Sequence, residues 1–469
     1  MDDLPLTITE AGAAIRAGRL TSLALTEACL ERADFLDGRL GVFITRTTEA
    51  ALAAARQADA DFAAGVDRGP LQGIPIGVKD IIATKDAPTT AQSMVLDPAW
   101  GEGRDAPVVA RLREAGAVIV GKTSTMEFAI GMPDASKPFP VPRNPWNPET
   151  WPGGSSSGSG AGVAAGLFLG ALGTDTGGSV RIPAAFCGIT GMKQTHGLVP
   201  KSGCAPLGYS LDHIGPMTRS VRDAAAMLQV MAGYDATDAT CADVAVPDYL
   251  AALGGSVRGL RIGVERAHHT GDPRTLPSAV AAFDAAVSWF EQAGATVEEV
   301  ELPYYEEMRF ANTVTMRAES NSYHAMDLAA QWEAFGEHTN KAVSQGAYLS
   351  AADYVQAQRF RSFIRAKVAE LMAPYDVLVM LTAGVGAPRL RGLGVQSFMQ
   401  WPVFSAPWNL LGLPAMATPI GFTDDGLPLS MQIVGKAFEE ATVFQVGDAF
   451  QRETAHHLQV PALVEAVLA

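Results

Sequence analysis

The sequence predicts an α/β fold, a single large domain in which helices cover both faces of a central mixed β-sheet. Three observations lead there. Helix-period and strand-like apolar patterns alternate along almost all of the 469 residues, hydrophobic residues make up 48% against 18% charged, and no internal repeat or charge run interrupts them. That composition allows a large buried core and excludes global disorder. Helices mixed with β-branched runs pack as layers around a sheet.

In chain order, residues 22–33 carry an amphipathic helical pattern, 40–44 a strand and 48–64 an Ala-rich helix. Residues 74–78 read as a strand, 107–115 as a helix and the stiff β-branched run 117–120 as a buried strand. The uncharged stretch 151–174 is Gly and Ser in its first half. Its apolar part, from 161 to 173, reads as a buried core helix, being shorter than the about 20 residues a membrane span needs. Strand-like 260–264, a helix over 279–293 and strands at 296–302, 376–381 and 430–434 complete the pattern. The Pro- and Gly-rich segments 132–160 and 382–397 read as long loops over one domain.

The formal charge of −15 repels nucleic acid and anionic lipid. The acidic start Met1-Asp2-Asp3-Leu4-Pro5 lacks the order of a secretory signal. Cys29, Cys187, Cys204 and Cys241 show neither clustering nor a C-x-x-C pair, which suits a reduced cytoplasmic chain without disulfide or zinc.

Three motifs match in letters and fail in context. Gly116-Ala-Val-Ile-Val-Gly121-Lys122-Thr123 fits the phosphate-loop pattern, but a helix precedes it and a strand occupies its middle. Gly160-Ala-Gly162-Val-Ala-Ala165 fits a dinucleotide fingerprint without the strand that fold requires. Gly154-Ser-Ser156-Ser-Gly158 fits a nucleophile elbow, but loop-like Asn144-Pro-Trp-Asn-Pro precedes it, so a Ser-His-Asp hydrolase is a minor alternative. The neighbouring pairs His268-His269 and His456-His457 read as solvated loop or helix-end residues, while His196 and His213 flank loop-like glycines beside a cleft or serve structural hydrogen bonds.

Gly153-Gly-Ser-Ser-Ser-Gly-Ser-Gly160 and Gly173-Thr-Asp-Thr-Gly-Gly-Ser-Val-Arg-Ile-Pro183 form a more informative constellation, two hydroxyl-rich loops around one small-residue segment. Consecutive glycines let backbone N–H groups converge as an anion nest. A serine ending that nest has its hydroxyl beside an oxyanion hole, as acyl transfer requires. The base is absent locally. Lys79, in Gly73-Ile-Pro-Ile-Gly-Val-Lys-Asp80, ends an apolar strand, where burial lowers its pKa and frees a neutral amine; a snorkelling surface lysine is the plain alternative.

These two blocks resemble the signature of the amidase signature family. The resemblance extends to Pro75-Ile-Gly-Val-Lys-Asp80, Gly121-Lys-Thr-Ser-Thr-Met-Glu-Phe128, Arg143-Asn-Pro-Trp-Asn147, Ser210-Leu-Asp-His-Ile-Gly-Pro216, Asn409-Leu-Leu-Gly-Leu-Pro-Ala415 and Leu427-Pro-Leu-Ser-Met-Gln-Ile-Val-Gly435. It implies one domain over 1–469, with a signature core at about 70–220 and a variable substrate-facing region at about 300–400. It also implies Ser179 as the acyl-forming nucleophile, Ser155 as a bridging serine behind a cis Gly154–Ser155 peptide, and Lys79 as the base. Thr176, Gly177, Gly178 and Ser179 would supply oxyanion-hole N–H groups. Gly154, Ser156, Asp175 and Arg181 would brace the loops, a surface ion pair being the alternative for the last two. Ser124, Met126, Ala129 and Arg361 would face the substrate. Ser157 stands where Gly is commoner in the family, and Ser124 where Asn is.

The resemblance implies an amidase that releases ammonia or an amine, esters and carbamates included as candidate substrates, with no metal or organic cofactor. Its expected partners are a small-molecule amide and at most a second copy in a homodimer, with no nucleic acid and no membrane. The rival is the A subunit of a tRNA-dependent amidotransferase, in which Arg361 of Gln356-Ala-Gln-Arg-Phe-Arg361 would hold a carboxylate. His213, where that subunit usually has Gln, favours a hydrolase. A silent scaffold is disfavoured by Lys79, Ser155 and Ser179 standing together.

Overall fold

The strand-like runs all enter one mixed sheet. The computed structural model of the chain describes residues 5–394 and 401–468. The acidic start Met1-Asp2-Asp3-Leu4 and residues 395–400, which end the 382–397 loop and the 300–400 region, lie outside the described residues. Eleven strands are present among the described residues. They are β1 (Phe43–Arg46), β2 (Pro75–Lys79), β3 (Val118–Thr123), β4 (Gly170–Asp175), β5 (Thr190–Lys193), β6 (His213–Thr218), β7 (Arg261–Glu265), β8 (Thr296–Val300), β9 (Val377–Leu381), β10 (Ala415–Phe422) and β11 (Pro428–Gly435).

Their order is β1-β3-β2-β4-β6-β5-β10-β11-β9-β7-β8. Strand β2 runs parallel to β3 and β4, and β7 parallel to β8 and β9, while an antiparallel ladder joins the two halves. Parallel strands need cover on both faces, and β2, β3 and β4 are buried along their whole length. Alternation carries this through: in β3, Ile119 joins one hydrophobic core while Val118 and Val120 join another on the opposite face. The α/β expectation holds.

Two expectations change. The helix predicted over 22–33 runs over Ser22–Leu40, because Leu36 and Leu40 continue its buried face until Gly41, at φ 63°, ends it. The strand expected from 40 therefore starts at Phe43. The buried helix predicted from 161 is displaced towards the N-terminus: Ser157–Ala164 is helical, Gly166 turns the chain at φ 67°, and 170–175 form β4. The reason is tertiary. Residues 170–175 pair with both β2 and β6, and the Gly/Ser helix has the slimness its site demands, since a Cβ on Gly162 would collide with the Phe168 ring. Around Gly116, the helix Pro107–Glu114 and strand β3 stand where the phosphate-loop pattern was rejected.

Candidate active site

Lys79 is the last residue of β2 and is fully buried, so it does not snorkel. Its Nζ donates to Ser155 Oγ and Thr174 Oγ1, each at 2.7 Å. Burial lowers its pKa to about 7, while the nearby carboxylates of Asp175 and Asp212 pull it back up in part. Lys122, equally buried, is instead paired with Asp80 at 3.0 Å.

Ser155 follows Gly154 through a cis peptide. Its carbonyl accepts from Met126 N at 3.2 Å and Thr125 Oγ1 at 2.9 Å. A Cβ on Gly154 would stand 2.7 Å from Trp151, so this loop needs glycine there. Ser156 Oγ donates to Thr174 O at 3.2 Å and accepts from Thr174 N at 3.1 Å, which ties the loop to β4.

The second loop is organised by one carboxylate. Asp175 is fully buried and accepts from Gly178 N (2.7 Å), Val180 N (3.2 Å), Arg181 Nε and Nη2 (3.0 Å each) and Asn409 Nδ2 (2.8 Å). Burial pushes its pKa up, but Arg181, Lys193 and Asn409 outweigh that and hold it at about 2. Asp175 and Arg181 are thus an interior brace, both fully buried, rather than a surface pair. One expected oxyanion donor changes: the Gly178 N–H is committed to Asp175. The amides of Thr176, Gly177 and Ser179 meet no acceptor among the described residues.

Asp175→Asn should lower stability by about 3–5 kcal/mol, because it leaves Arg181 buried without its anion; chemical denaturation measures this. The sign in pH follows from the lowered pKa. Asp175 contributes stability above the unfolded value of 3.8 and loses it as pH falls towards about 2. An unchanged midpoint for the variant would contradict the brace.

Ser155, Thr176, Gly177 and Ser179 line one cavity of about 300 Å³. Its walls are largely apolar, with Met126, Ile130, Met132, Phe310 and Val403 among them, and Ala129 also faces it. Two expected substrate residues are elsewhere. Ser124 is fully buried and donates to Gly41 O at 2.8 Å. Arg361 donates to Leu410 O (2.6 Å) and to Ser210 Oγ and O (3.0 and 2.9 Å), so its guanidinium braces the helix Ala351–Met372 against the helix Ala406–Leu411 and the loop at Ser210. Both are held by backbone carbonyls that no sequence pattern reveals.

Other contributors come from distant segments. Asn409 also donates to Asp175 O at 3.0 Å, Asn312 donates to Thr176 O at 3.3 Å, and Ser405 Oγ donates to Gly177 O at 2.6 Å. Asn409 opens one of the blocks that carry the family resemblance, whereas Asn312 has no comparable signal. Histidine is peripheral. His213 Nδ1 lies 2.6 Å from Leu211 O, and burial and Lys193 push its pKa well below the usual value. His269, expected to be solvated, is instead fully buried against Glu265.

The sequence profile named Amidase matches residues 24–444. The chain belongs to the amidase signature family. The glutamyl-tRNA(Gln) amidotransferase A subunit of Roseiflexus sp. (strain RS-1) is 39% identical across 98% of each chain. Among solved structures of amidase signature proteins, native peptide amidase from Stenotrophomonas maltophilia superposes with a TM-score of 0.82 at 30% identity, over 96% of this chain and 98% of that one. A protein from a vestigial complex linked to the origins of an s-triazine catabolic enzyme reaches 0.88 at 31% identity, over 95% and 98%. These likenesses correct one expectation. A partner set of a small-molecule amide alone, with at most a homodimer and no nucleic acid, does not stand beside an amidase signature relative that is by name one component of an amidotransferase for a glutamyl-tRNA. No helix among the described residues is long and apolar enough to cross a membrane.

Proposed function

We propose that this amidase signature chain cleaves a carboxylic amide through an acyl-enzyme on Ser179, and that it does so as the ammonia-releasing A subunit of a glutamyl-tRNA amidotransferase. The observation that carries the chemistry is Lys79, fully buried, lowered to about 7 and 2.7 Å from the Oγ of Ser155, which lines the same cavity as Ser179. As a neutral amine it accepts the Ser155 proton while Ser155 accepts that of Ser179, whose Oγ attacks the amide carbon. The oxyanion is held by the N–H groups of Thr176, Gly177 and Ser179. The relay runs backward to protonate the leaving nitrogen, and water, giving up a proton through the same relay, then attacks the acyl carbon, breaks its bond to Ser179 Oγ and leaves the carboxylic acid.

The amidotransferase reading is supported by the 39% identity to the Roseiflexus relative, which runs over 98% of both chains. Its test is reconstitution with the other components of such an assembly. The mixture should convert glutamyl-tRNA(Gln) to glutaminyl-tRNA(Gln) with glutamine as nitrogen donor, and Ser179→Ala should stop it. No conversion, with hydrolysis of uncharged amides by the chain alone, would overturn the amidotransferase reading. That outcome would favour the second reading, a free-standing amidase, for which the apolar wall of Met126, Ile130, Met132 and Phe310 speaks. A panel of aliphatic and aromatic amides, esters and carbamates then ranks its substrates.

A further inference from the structure

The helix Tyr305–Gln331 turns one face to the cavity, with Glu306, Arg309, Phe310, Asn312, Thr313 and Arg317 on it. Arg309 is neutralised by Glu306 at 2.9 Å. Arg317 is not neutralised. Its Nε and Nη1 are buried and have no hydrogen-bond partner, and no carboxylate among the described residues lies within ion-pair distance of it. The nearest acid along the chain, Glu319, is turned away to Ser210 and Tyr354. Burial alone lowers the Arg317 pKa, to about 10, so the group is a cation at neutral pH. A buried cation without an acceptor is costly, and Arg317 lines the same cavity as Ser179.

We propose that Arg317 is the specificity residue of this cavity and pairs with an anionic group, a carboxylate, at the far end of the acyl part of the substrate. The inference rests on the proposed amide-cleaving reading. Asn312, five residues earlier on the helix, holds the oxyanion loop through Thr176 O. Five residues of helix rise about 7.5 Å, which offsets the two positions along the helix axis by the length of a short diacid chain. The planar fork of arginine takes a carboxylate through two parallel hydrogen bonds. The apolar walls between the two ends accept methylenes.

The test compares the monoamides of succinic, glutaric and adipic acids with uncharged amides of equal length. Wild type should favour the charged member of one pair by about 10–100-fold in kcat/KM, the range of a charge-assisted hydrogen bond. In Arg317→Met that ratio should collapse, Arg317→Lys should keep part of it, and Arg317→Glu should shift preference towards amides that carry an ammonium. The readout is the ratio, so a general loss of folded enzyme does not move it. A wild type without preference, or an Arg317→Met ratio equal to that of wild type, would overturn the assignment. Calorimetry of the same monoamides on Ser179→Ala separates the two readings. Binding that depends on Arg317, with no turnover of any amide by wild type, would keep the anchor and sink the amidase chemistry. Turnover with no dependence on Arg317 would do the reverse.

Discussion

Ser179→Ala should lower amide turnover by roughly 10⁵–10⁶-fold, the scale seen when an acyl-enzyme nucleophile is removed, with the fold unchanged. Ser179 Oγ makes no hydrogen bond to another described residue, so its loss breaks no internal contact. Its place is set by the backbone around it: Gly178 at φ 135°, the Asp175 carboxylate under the turn and Ser405 on Gly177. The neighbouring hydroxyls are committed elsewhere. Ser155 is engaged by Lys79, and Ser156 is tied to Thr174. Labelling with a fluorophosphonate followed by mass spectrometry should find the adduct on Ser179. An adduct on Ser155 or Ser156, or a variant with more than a hundredth of wild-type activity, would contradict the assignment.

Lys79→Ala should remove nearly as much, and with it the rising limb of the pH profile. In wild type, kcat/KM should climb through a single ionisation near pH 7 and level off above it, since the base form exists only when Nζ has lost its proton. Stability rises with pH here as it does for Asp175, but the charged form is a cost for Lys79 where it is a gain for Asp175. An unfolded lysine titrates near its ordinary value of 10.5, so between about 7 and 10.5 the unfolded chain holds the extra proton and stability rises with pH. Below about 7 the full cost of the buried ammonium is present. Lys79→Met, which fills the site without a charge, should therefore melt no lower than wild type at pH 6. A rising limb that survives Lys79→Ala and disappears in His213→Ala would transfer the role of base to histidine.

The elements that sequence reading placed well are those whose side chains report their own surroundings. The β-branched run at Val118–Thr123 and the apolar run ending at Lys79 are strands because nothing else buries them on both faces. Ser179 and Lys79 were legible as candidates for a related reason, while the role of Ser155 came from the resemblance to the amidase signature family. Two loops so rich in Gly and hydroxyl residues, flanking one slim segment, have few uses, and Lys79, Ser155, Ser156, Asp175 and Arg181 all meet around them. The boundary of the buried helix was not legible. Whether 170–175 extend a helix or form a strand depends on β2 and β6, which supply the pairing from 94 residues before and from a later segment.

Substrate contacts were the least legible part. Ser124 and Arg361 are polar residues in blocks that resemble a pocket, yet backbone carbonyls of Gly41, Leu410 and Ser210 take up their hydrogen bonds. Arg317 lies in an ordinary amphipathic helix, and its meaning comes from the partners it lacks. The sequence by itself determined the α/β class and the two loops rich in Gly and hydroxyl residues, because these depend on local backbone freedom and on burial periodicity. Only the tertiary structure decided that Gly178 serves Asp175, that Lys79 has hydroxyl rather than carboxylate neighbours, and that Arg317 faces the cavity unpaired. Each of those facts is a distance between segments far apart in the chain, and residue identity alone carries no such distance.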